Sequence, residues 1–462
     1  MQPLRGSLDA SMRMRLIAIA FLLASSAAGA QEQEQEPAPP AAAAESIRFR
    51  FSAELKAHYR WSEEDSFPLR FPFPPDFIPV GKDHVALETP SPGSSLEVSV
   101  ATLFLDVDLP RSIAARVKID LIDLHDRNPT STDQTVDVDE AWIRFGTSYE
   151  PMEAIAGTSF YALFGKAPKF ERQTLRRLES YGLASTAFNR FEDIQLQFGG
   201  SLGTHVYFRA QVSNGNPIFF RDPNALAGDN GTEMPPNPDP TLGSGFPIFY
   251  HAEVEELQID DHPEYGIGAG LRFLSLDQEK GLDVLGFYYR THLSEAAKLR
   301  GTFYEGDLDI LNGVTPIPGR ESEFSLPIEG DLREEYGLNA DAQAGALSLF
   351  FQFVHEEAAS LPRDGLELEA AYRFVIGDPA DPSDLFPLIQ PAFRYSKLDN
   401  GFTAPPLFVV PSVMWDWEKW DIGVRMIIVS RLDLTLEYAH HDIQAARPID
   451  HDEFLTTLRL RF

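Results

Sequence analysis

The sequence predicts an all-β protein, a transmembrane antiparallel β-barrel of roughly 16–18 strands with short periplasmic turns and long outer loops. Three observations predict this fold. Polar and apolar residues alternate over many long segments, short and long connections alternate between those segments, and the 462-residue chain ends on an aromatic residue. In a membrane barrel, such alternation directs apolar side chains to lipid and polar side chains to the lumen.

The clearest alternation begins at Ile47, where apolar and polar residues exchange places without interruption up to Arg60. A register shift of one residue would carry the whole charged set into hydrocarbon, so the two faces are strongly specified. The predicted lipid face of this first strand comprises Ile47, Phe49, Phe51, Ala53, Leu55, Ala57 and Tyr59. The last strand alternates in the same way and finishes on Phe462.

The first 45 residues are predicted to lie outside the barrel. Arg13 and Arg15 precede an apolar run, and small residues follow at Ala28 and Ala30, so residues 1–30 are predicted to be a secretory signal peptide. Residues 31–45 are rich in Gln, Glu, Pro and Ala, which predicts a disordered lead-in. The remaining residues, 46–462, are predicted to form a single barrel.

Eighteen candidate strands can be counted in this span, of which the segments near 281–292 and 297–309 are weak, so sixteen is the alternative count. Long connections are predicted at 61–95, 214–248, 306–332 and 399–416. Tight turns are predicted at 109–112, 147–151, 199–203, 260–264, 341–345 and 429–431. Alternation of short and long connections is typical of outer-membrane barrels.

Composition excludes several classes of function. The absence of Cys rules out disulfides, thiolate metal sites and cysteine nucleophiles. A net charge of −31 disfavours nucleic acid as a partner. Two minor hypotheses, a rim metal site and a barrel hydrolase, rest on His440, His441, Asp442, His451 and Asp452. No serine stands in a recognisable nucleophile context, so the prediction is a non-enzyme without metal or cofactor.

One long connection, 166–189, concentrates positive charge in an otherwise acidic chain. Its basic residues are Lys166, Lys169, Arg172, Arg176 and Arg177. If this loop folds into the lumen, a basic constriction would raise the local anion concentration and ease anion entry. The alternative is that these residues neutralise lumenal carboxylates and only make the loop rigid.

Other arginines are predicted to face the lumen from the strands themselves. These are Arg50, Arg116, Arg209, Arg373 and Arg394. They alternate with inward-facing carboxylates such as Glu54 and Asp120, and opposed charges of this kind can pair across neighbouring strands.

Three segments resemble the phosphate-selective porins O and P. They are DEAWIRFG at 139–146, LFGKAPKFERQTLRRLESYG at 163–182 and NRFEDIQLQFGG at 189–200. In that family a Gly-Lys element precedes the constriction loop, and Gly165, Lys166 and Phe170 match it here, with Arg190 before the next strand. The resemblance implies a sixteen-stranded, usually trimeric barrel that passes small anions. This chain departs from it by interleaving its lumenal arginines with carboxylates.

Together these observations predict a porin in the outer membrane of a Gram-negative bacterium, surrounded by lipid. It would be a passive channel for small hydrophilic solutes with a modest preference for anions such as phosphate. A homotrimer follows from the resemblance alone. The alternative function is a structural or adhesive barrel with an occluded lumen, which the apolar loop 61–95 favours.

Overall fold

The structure is a computed structural model. It describes residues 47–63, 66–70, 84–88, 93–123, 136–173, 176–188, 192–215, 244–245, 251–253, 263–277, 279–292, 298–300, 306–307, 326–381, 383–405, 414–444 and 448–462. The predicted signal peptide and lead-in lie outside the described residues. In this part of the chain, no helix combines the length and apolar composition needed to cross a bilayer.

Sixteen antiparallel strands form one closed sheet, which confirms the predicted fold class. The strands are β1 (Arg48–Ser62), β2 (Gly93–Leu109), β3 (Ile113–Asp123), β4 (Asp137–Gly146), β5 (Ser159–Pro168), β6 (Glu192–Leu202), β7 (Val206–Ser213), β8 (Glu264–Leu274), β9 (Lys280–His292), β10 (Leu332–Ala344), β11 (Leu347–Ala358), β12 (Leu361–Tyr372, continued by Phe374–Val375), β13 (Leu388–Asn400), β14 (Asp416–Val429), β15 (Leu432–Gln444) and β16 (Ile449–Arg461). Each strand pairs with its neighbours in sequence, and β16 pairs with β1 to close the barrel.

Of the two weak candidate segments, one is a barrel strand and the other is not. The segment near 281–292 forms β9. In the segment near 297–309, Lys298–Arg300 instead forms the middle strand of a separate small sheet, where it pairs with His251–Glu253 on one side and Gly306–Asp307 on the other. Alternation of polar and apolar residues indicates a strand but does not indicate which sheet the strand joins. The sequence therefore allowed either sixteen or eighteen barrel strands.

The two ends of the barrel differ in their connections. At one end, here called the short-turn end, β2–β3, β6–β7, β10–β11 and β14–β15 are joined by only a few residues. Arg111 and Ser112 in the β2–β3 turn and Arg431 in the β14–β15 turn adopt positive φ, which helps tight hairpins match the twist of the strands. At the other end, the long-loop end, β1–β2, β5–β6, β7–β8 and β9–β10 have long connections.

One predicted turn is corrected by this arrangement. The turn predicted at 260–264 lies mostly outside the described residues, and β8 begins at its last residue, Glu264. The connection predicted at 147–151 extends to residue 158 before β5 begins. Inside the predicted loop 61–95, Ser66–Arg70 and His84–Glu88 pair as a hairpin and Ser244–Gly245 joins it, outside the barrel sheet.

The barrel is apolar outside and polar inside, the reverse of a soluble protein. On β1, Phe49 and Phe51 are 62% and 77% exposed, whereas His58 and Arg60 are 2% and 7% exposed. The same pattern holds on β14, where Trp420 and Ile422 are exposed and Lys419 and Asp421 are fully buried. Buried charged residues therefore line the inside, and their side chains need partners within the lumen.

The seam between the first and last strands is completed by the terminal residue. Phe462 N–H donates to Ala53 O at 3.1 Å, and Ala53 N–H donates to Phe462 O at 2.7 Å. The Phe462 ring lies exposed on the outer surface. The final residue thus contributes both hydrogen bonds and apolar surface to the closure of the barrel.

Deleting Phe462 is expected to reduce the amount of assembled barrel, because it removes two backbone hydrogen bonds that cannot be replaced by water in lipid. The measurement is heat-modifiable migration of the membrane-extracted protein on a gel. Phe145→Ala is the matched control, since it removes an exposed aromatic ring from β4 without touching the seam. Equal amounts of folded barrel from the deletion and the control would contradict the prediction.

Candidate functional site: the loop across the lumen

The segment after β5 folds inward and contacts the barrel wall. It contains one short helix, α1 (Leu183–Ala187), all of whose residues are buried. Leu178, Ser180 and Phe188 are at most 2% exposed. Of the predicted loop 166–189, residues 166–168 belong to β5, and residues 174, 175 and 189 lie outside the described residues.

The tip of this loop is held by a buried ionic network on β13, β14 and β15. Arg394 Nε donates to Asp421 at 3.0 Å, and its Nη2 lies 3.8 Å from Glu437. Arg394 Nη1 and Nη2 donate to the carbonyl and hydroxyl oxygens of Ser180 at 3.0 and 2.5 Å. The Ser180 hydroxyl lies 3.0 Å from Asp421 and within hydrogen-bond distance of Glu437, and its single proton can be donated to either carboxylate.

Wall carboxylates also accept hydrogen bonds from the loop backbone. Glu437 Oε2 accepts from the N–H groups of Glu179 and Ser180 at 2.8 and 3.2 Å. Glu369 accepts from Arg177 N–H at 3.1 Å. Without these carboxylates, each N–H would be a buried donor with no acceptor. The bonds therefore hold the loop backbone in this path, and they also stabilise the negative charge of Glu437 and Glu369.

A second ionic contact ties the loop to the seam of the barrel. The Glu179 carboxylate lies 3.1 Å from Lys56 Nζ on β1 and 3.1 Å from Arg459 Nη1 on β16. Burial alone would raise the pKa of this carboxyl, but Lys56 and Arg459 together hold the pKa of Glu179 below its ordinary value. The carboxylate is therefore charged in its buried position.

Apolar contacts complete the docking. Leu178 packs with Ala371 and Ala392 in a small buried cluster. Gly423 lies beneath the same side chain, and a Cβ at that position would be 2.7 Å from Leu178 Cδ2. A larger residue at 423 would therefore displace the loop tip. The wall is shaped to receive the loop as well as charged to hold it.

The tip of the loop docks against β12–β16 and β1, and space remains beside the loop along β3–β7. A cavity of about 610 Å³ remains there. Its cations are Arg116, Lys118, Arg144, Lys169, Arg172, Arg176 and Arg209. Its carboxylates are Asp123, Asp139, Glu140, Glu150 and Glu192. Seven positive against five negative side chains leave the lining at +2, although the whole chain carries −31.

Three of the five predicted constriction residues are paired with carboxylates. Lys166 Nζ lies 3.3 Å from Asp137, and Lys169 Nζ lies 2.6 Å from Glu264. Arg172 is paired with Glu192. These three contacts correspond to the alternative hypothesis, in which the basic residues neutralise lumenal carboxylates. The sequence could not show this because the partners lie on three different strands.

The other two predicted constriction residues differ from each other. Arg176 lines the cavity, and its guanidinium lies 3.4 Å from the centre of the Tyr181 ring, without an ion-pairing carboxylate among the described residues. Arg177 does not line the cavity, and its N–H anchors the loop to Glu369. Lys166 also lies outside the cavity lining.

The five predicted lumenal arginines also occupy different places. Two of them lie at the short-turn rim. The Arg50 side chain is 65% exposed and pairs with Asp108, and Arg373 donates to Gly345 O. Arg116 lines the cavity and pairs with Asp106 at 2.7 Å. Arg394 belongs to the docking network, and Arg209 lines the cavity.

Arg209 and Arg144 show how cavity arginines can lack carboxylate partners. Arg209 donates to the carbonyl oxygens of Phe170 and Tyr149 at 3.2 and 3.1 Å. Arg144 donates to the Ser148 hydroxyl. Neither makes an ion pair with a carboxylate within the described part of the chain. Arg144 was missed by the sequence analysis, although its parity with Trp142 on β4 places both on the lumenal face.

Clusters that could suggest a metal are already neutralised. Asp139, Glu140 and Glu192 converge on the cavity wall, but Lys118, Arg116 and Arg172 pair with them in turn. Of the rim histidines, His441 and His451 are fully buried and both point at Glu453, at 3.6 and 3.8 Å. Glu453 also binds Arg60 at 3.0 Å, so this group forms a buried network in the wall.

Comparisons with known proteins found similarity to solved structures only. No family model matches it, and no curated protein matches it in sequence. The outer membrane channel DcaP of Acinetobacter baumannii is similar in structure, with 8% identity and a TM-score of 0.48, over 90% of this chain and 97% of that chain. OprB of Pseudomonas putida has 10% identity and a TM-score of 0.48, over 90% of this chain and 94% of that chain.

The trimer form of the outer membrane protein OmpT of Vibrio cholerae is also similar, with 11% identity and a TM-score of 0.44, over 90% of this chain and 100% of that chain. Likenesses at this identity and TM-score carry no information about what this protein binds or passes.

Arg394→Met is expected to undock the loop, because it removes the cation that Glu437 and Glu369 share and leaves Asp421 with Lys419 alone, at 3.0 Å. Breaking a buried ion pair in this way destabilises a protein by about 3–5 kcal/mol. The measurement is the free energy of unfolding in denaturant. Arg461→Met is the matched control, since Arg461 makes an exposed pair with Glu54 at 2.9 Å that is worth about 0–1 kcal/mol.

Ser180→Ala keeps the network's charges and removes only the hydroxyl bonds, so it is expected to shift stability in the same direction by a smaller amount. Equal stability of Arg394→Met and Arg461→Met would contradict the role assigned to the network.

The Glu179 contact is expected to be sensitive to acid. Since its folded pKa is below the ordinary value of 4.5, its contribution to stability is fully present above about pH 4.5 and is lost as pH falls through the folded pKa. The difference in unfolding free energy between the native protein and Glu179→Gln should therefore shrink between pH 7 and pH 3. Thermal unfolding across this range measures it, with the exposed Glu357→Gln as control. A difference that does not change with pH would refute the assignment.

Proposed function

We propose that this protein is an outer-membrane diffusion channel for small hydrophilic solutes with a modest preference for anions. The observation that carries the proposal is the cavity of about 610 Å³ left beside a docked loop inside a closed sixteen-stranded barrel. A water-filled lumen narrowed by an inward loop allows diffusion without covalent chemistry, metal or cofactor.

The surface of the barrel supports a membrane location. Exposed apolar residues such as Phe51, Phe164 and Ile267 lie on the outer face, while the charged residues lie inside. Such an inverted surface is stable in lipid, where a closed barrel satisfies every strand hydrogen bond internally. The outer membrane of a Gram-negative bacterium is the location where barrels of this kind reside.

The preference for anions is supported by the charges that remain available in the cavity. Lys166, Lys169 and Arg172 are each paired with a carboxylate, so they contribute little field at the channel axis. Arg144 and Arg176 are not paired in this way. Charges in a low-dielectric constriction act directly on an ion, whereas charges beyond about 10 Å are screened at 0.1 M salt.

The alternative function, a structural or adhesive barrel with an occluded lumen, has one observation in its favour. The loop and α1 pack closely against the wall and bury residues such as Leu183, Phe188 and Val354. The loop therefore closes one side of the lumen, and the two functions differ in whether solutes pass through the cavity on the other side.

Assembly as a homotrimer stays a prediction from the family resemblance, and the mass of the complex in mild detergent would test it.

Single-channel recording of purified protein in a planar bilayer tests the proposal. Steady stepwise conductance with a reversal potential that indicates anions is expected in a salt gradient. Arg144→Gln combined with Arg176→Gln should move the reversal potential toward cations, because the cavity lining falls from +2 to 0.

The matched control is Lys166→Gln combined with Asp137→Asn, which removes a pair of opposite charges and should leave the reversal potential in place. A closed barrel that inserts but never conducts would support the occluded alternative. A conducting protein whose selectivity is unchanged by the arginine variants would remove these two residues from the filter.

A further inference from the structure

Of the three cavity arginines that lack carboxylate partners, two, Arg144 and Arg176, each have an unused hydrogen-bond donor. Arg144 Nε and Arg176 Nη1 are buried and have no hydrogen-bond acceptor among the described residues. Buried donors in this state favour any ligand that brings an acceptor, and a guanidinium favours a planar carboxylate that it can bind through two bonds. Both arginines line the same cavity.

Aromatic rings stand beside both guanidinium groups. The Arg144 guanidinium carbon lies 5.9 Å from the centre of the Trp142 ring, and that of Arg176 lies 3.4 Å from the centre of the Tyr181 ring. Tyr149 and Tyr161 line the same cavity. The lining therefore offers flat apolar surface next to positive charge.

The size and charge of the cavity indicate which anions suit it. A volume of about 610 Å³ lies within the range of sites for small organic molecules, about 300–1,000 Å³. Inorganic phosphate would gain nothing from the aromatic rings, and five carboxylates around the lining oppose a doubly charged ion. A singly charged anion with an apolar body uses both features of the lining.

We propose that the cavity is a binding site for small organic monocarboxylates that carry an aromatic or apolar body. The carboxylate pairs with Arg144 or Arg176, and the body lies against Trp142 or Tyr181. This inference rests on the proposed channel function and names its substrate class.

Isothermal titration of the folded protein in detergent tests the inference with benzoate as probe, and with acetate, inorganic phosphate and benzamide as comparisons. Benzoate is expected to bind at least about tenfold more tightly than each comparison, a factor that corresponds to 1.4 kcal/mol. Acetate lacks the ring, benzamide lacks the charge, and phosphate lacks the apolar body, so each comparison isolates one requirement.

Variants assign the effect to residues. Arg144→Gln combined with Arg176→Gln should weaken benzoate binding at least about tenfold. Trp142→Leu combined with Tyr181→Leu should lower the preference for benzoate over acetate and leave acetate binding unchanged. Arg290→Gln is the control, because Arg290 is exposed and lies outside the cavity lining. Heat-modifiable migration of every variant verifies that the barrel is folded.

Equal binding of benzoate and phosphate, or benzoate binding that survives loss of both arginines, would overturn the inference. Failure of the channel function is distinguishable, because titration does not require conduction. Anion-selective conductance without benzoate binding overturns this inference alone. Benzoate binding by a barrel that never conducts overturns the channel function and, with it, the identification of benzoate-like anions as transported solutes.

Discussion

The arrangement of the lumen depends on the buried ionic network between the loop tip and the wall. Arg394, Asp421 and Glu437 are fully or almost fully buried, and burying such charges is unfavourable unless each is paired and hydrogen-bonded. Ser180 supplies the missing bonds through its hydroxyl, carbonyl and N–H groups. The network is satisfied only when the loop tip lies in this place, so the same contact sets the position of the loop and the side on which the lumen stays open.

This constraint explains why the basic cluster of the sequence does not act as a unit. Loop and strand residues meet as partners, and Lys169 with Glu264 is the most buried of these pairs. The charges that remain available lie on β4 and on the loop, at Arg144 and Arg176. A chain of −31 can thus hold a cavity lining of +2, because pairing and screening separate the local field from the total charge.

The outer and inner faces of the barrel follow different rules. Outside, the apolar residues need only match lipid, and Phe51 or Ile267 makes no specific contact that the fold requires. Inside, shape and charge must be matched residue by residue, as Gly423 beneath Leu178 shows. Substitutions on the lumenal wall therefore change the pore, whereas apolar exchanges on the outer face leave it intact.

The sequence by itself determined the all-β barrel, the faces of β1 and β16 and the concentration of basic residues in one long connection, whereas the inward path of that connection is a result of the tertiary structure. A period of two and the length of connections are local properties, so they can be followed along the chain. Tertiary structure alone decided that there are sixteen strands, that Arg50 and Arg373 lie at the rim, and which basic residues are neutralised. Those outcomes depend on residues far apart in sequence, such as Glu179 with Lys56 and Arg459, which only closure of the barrel brings together.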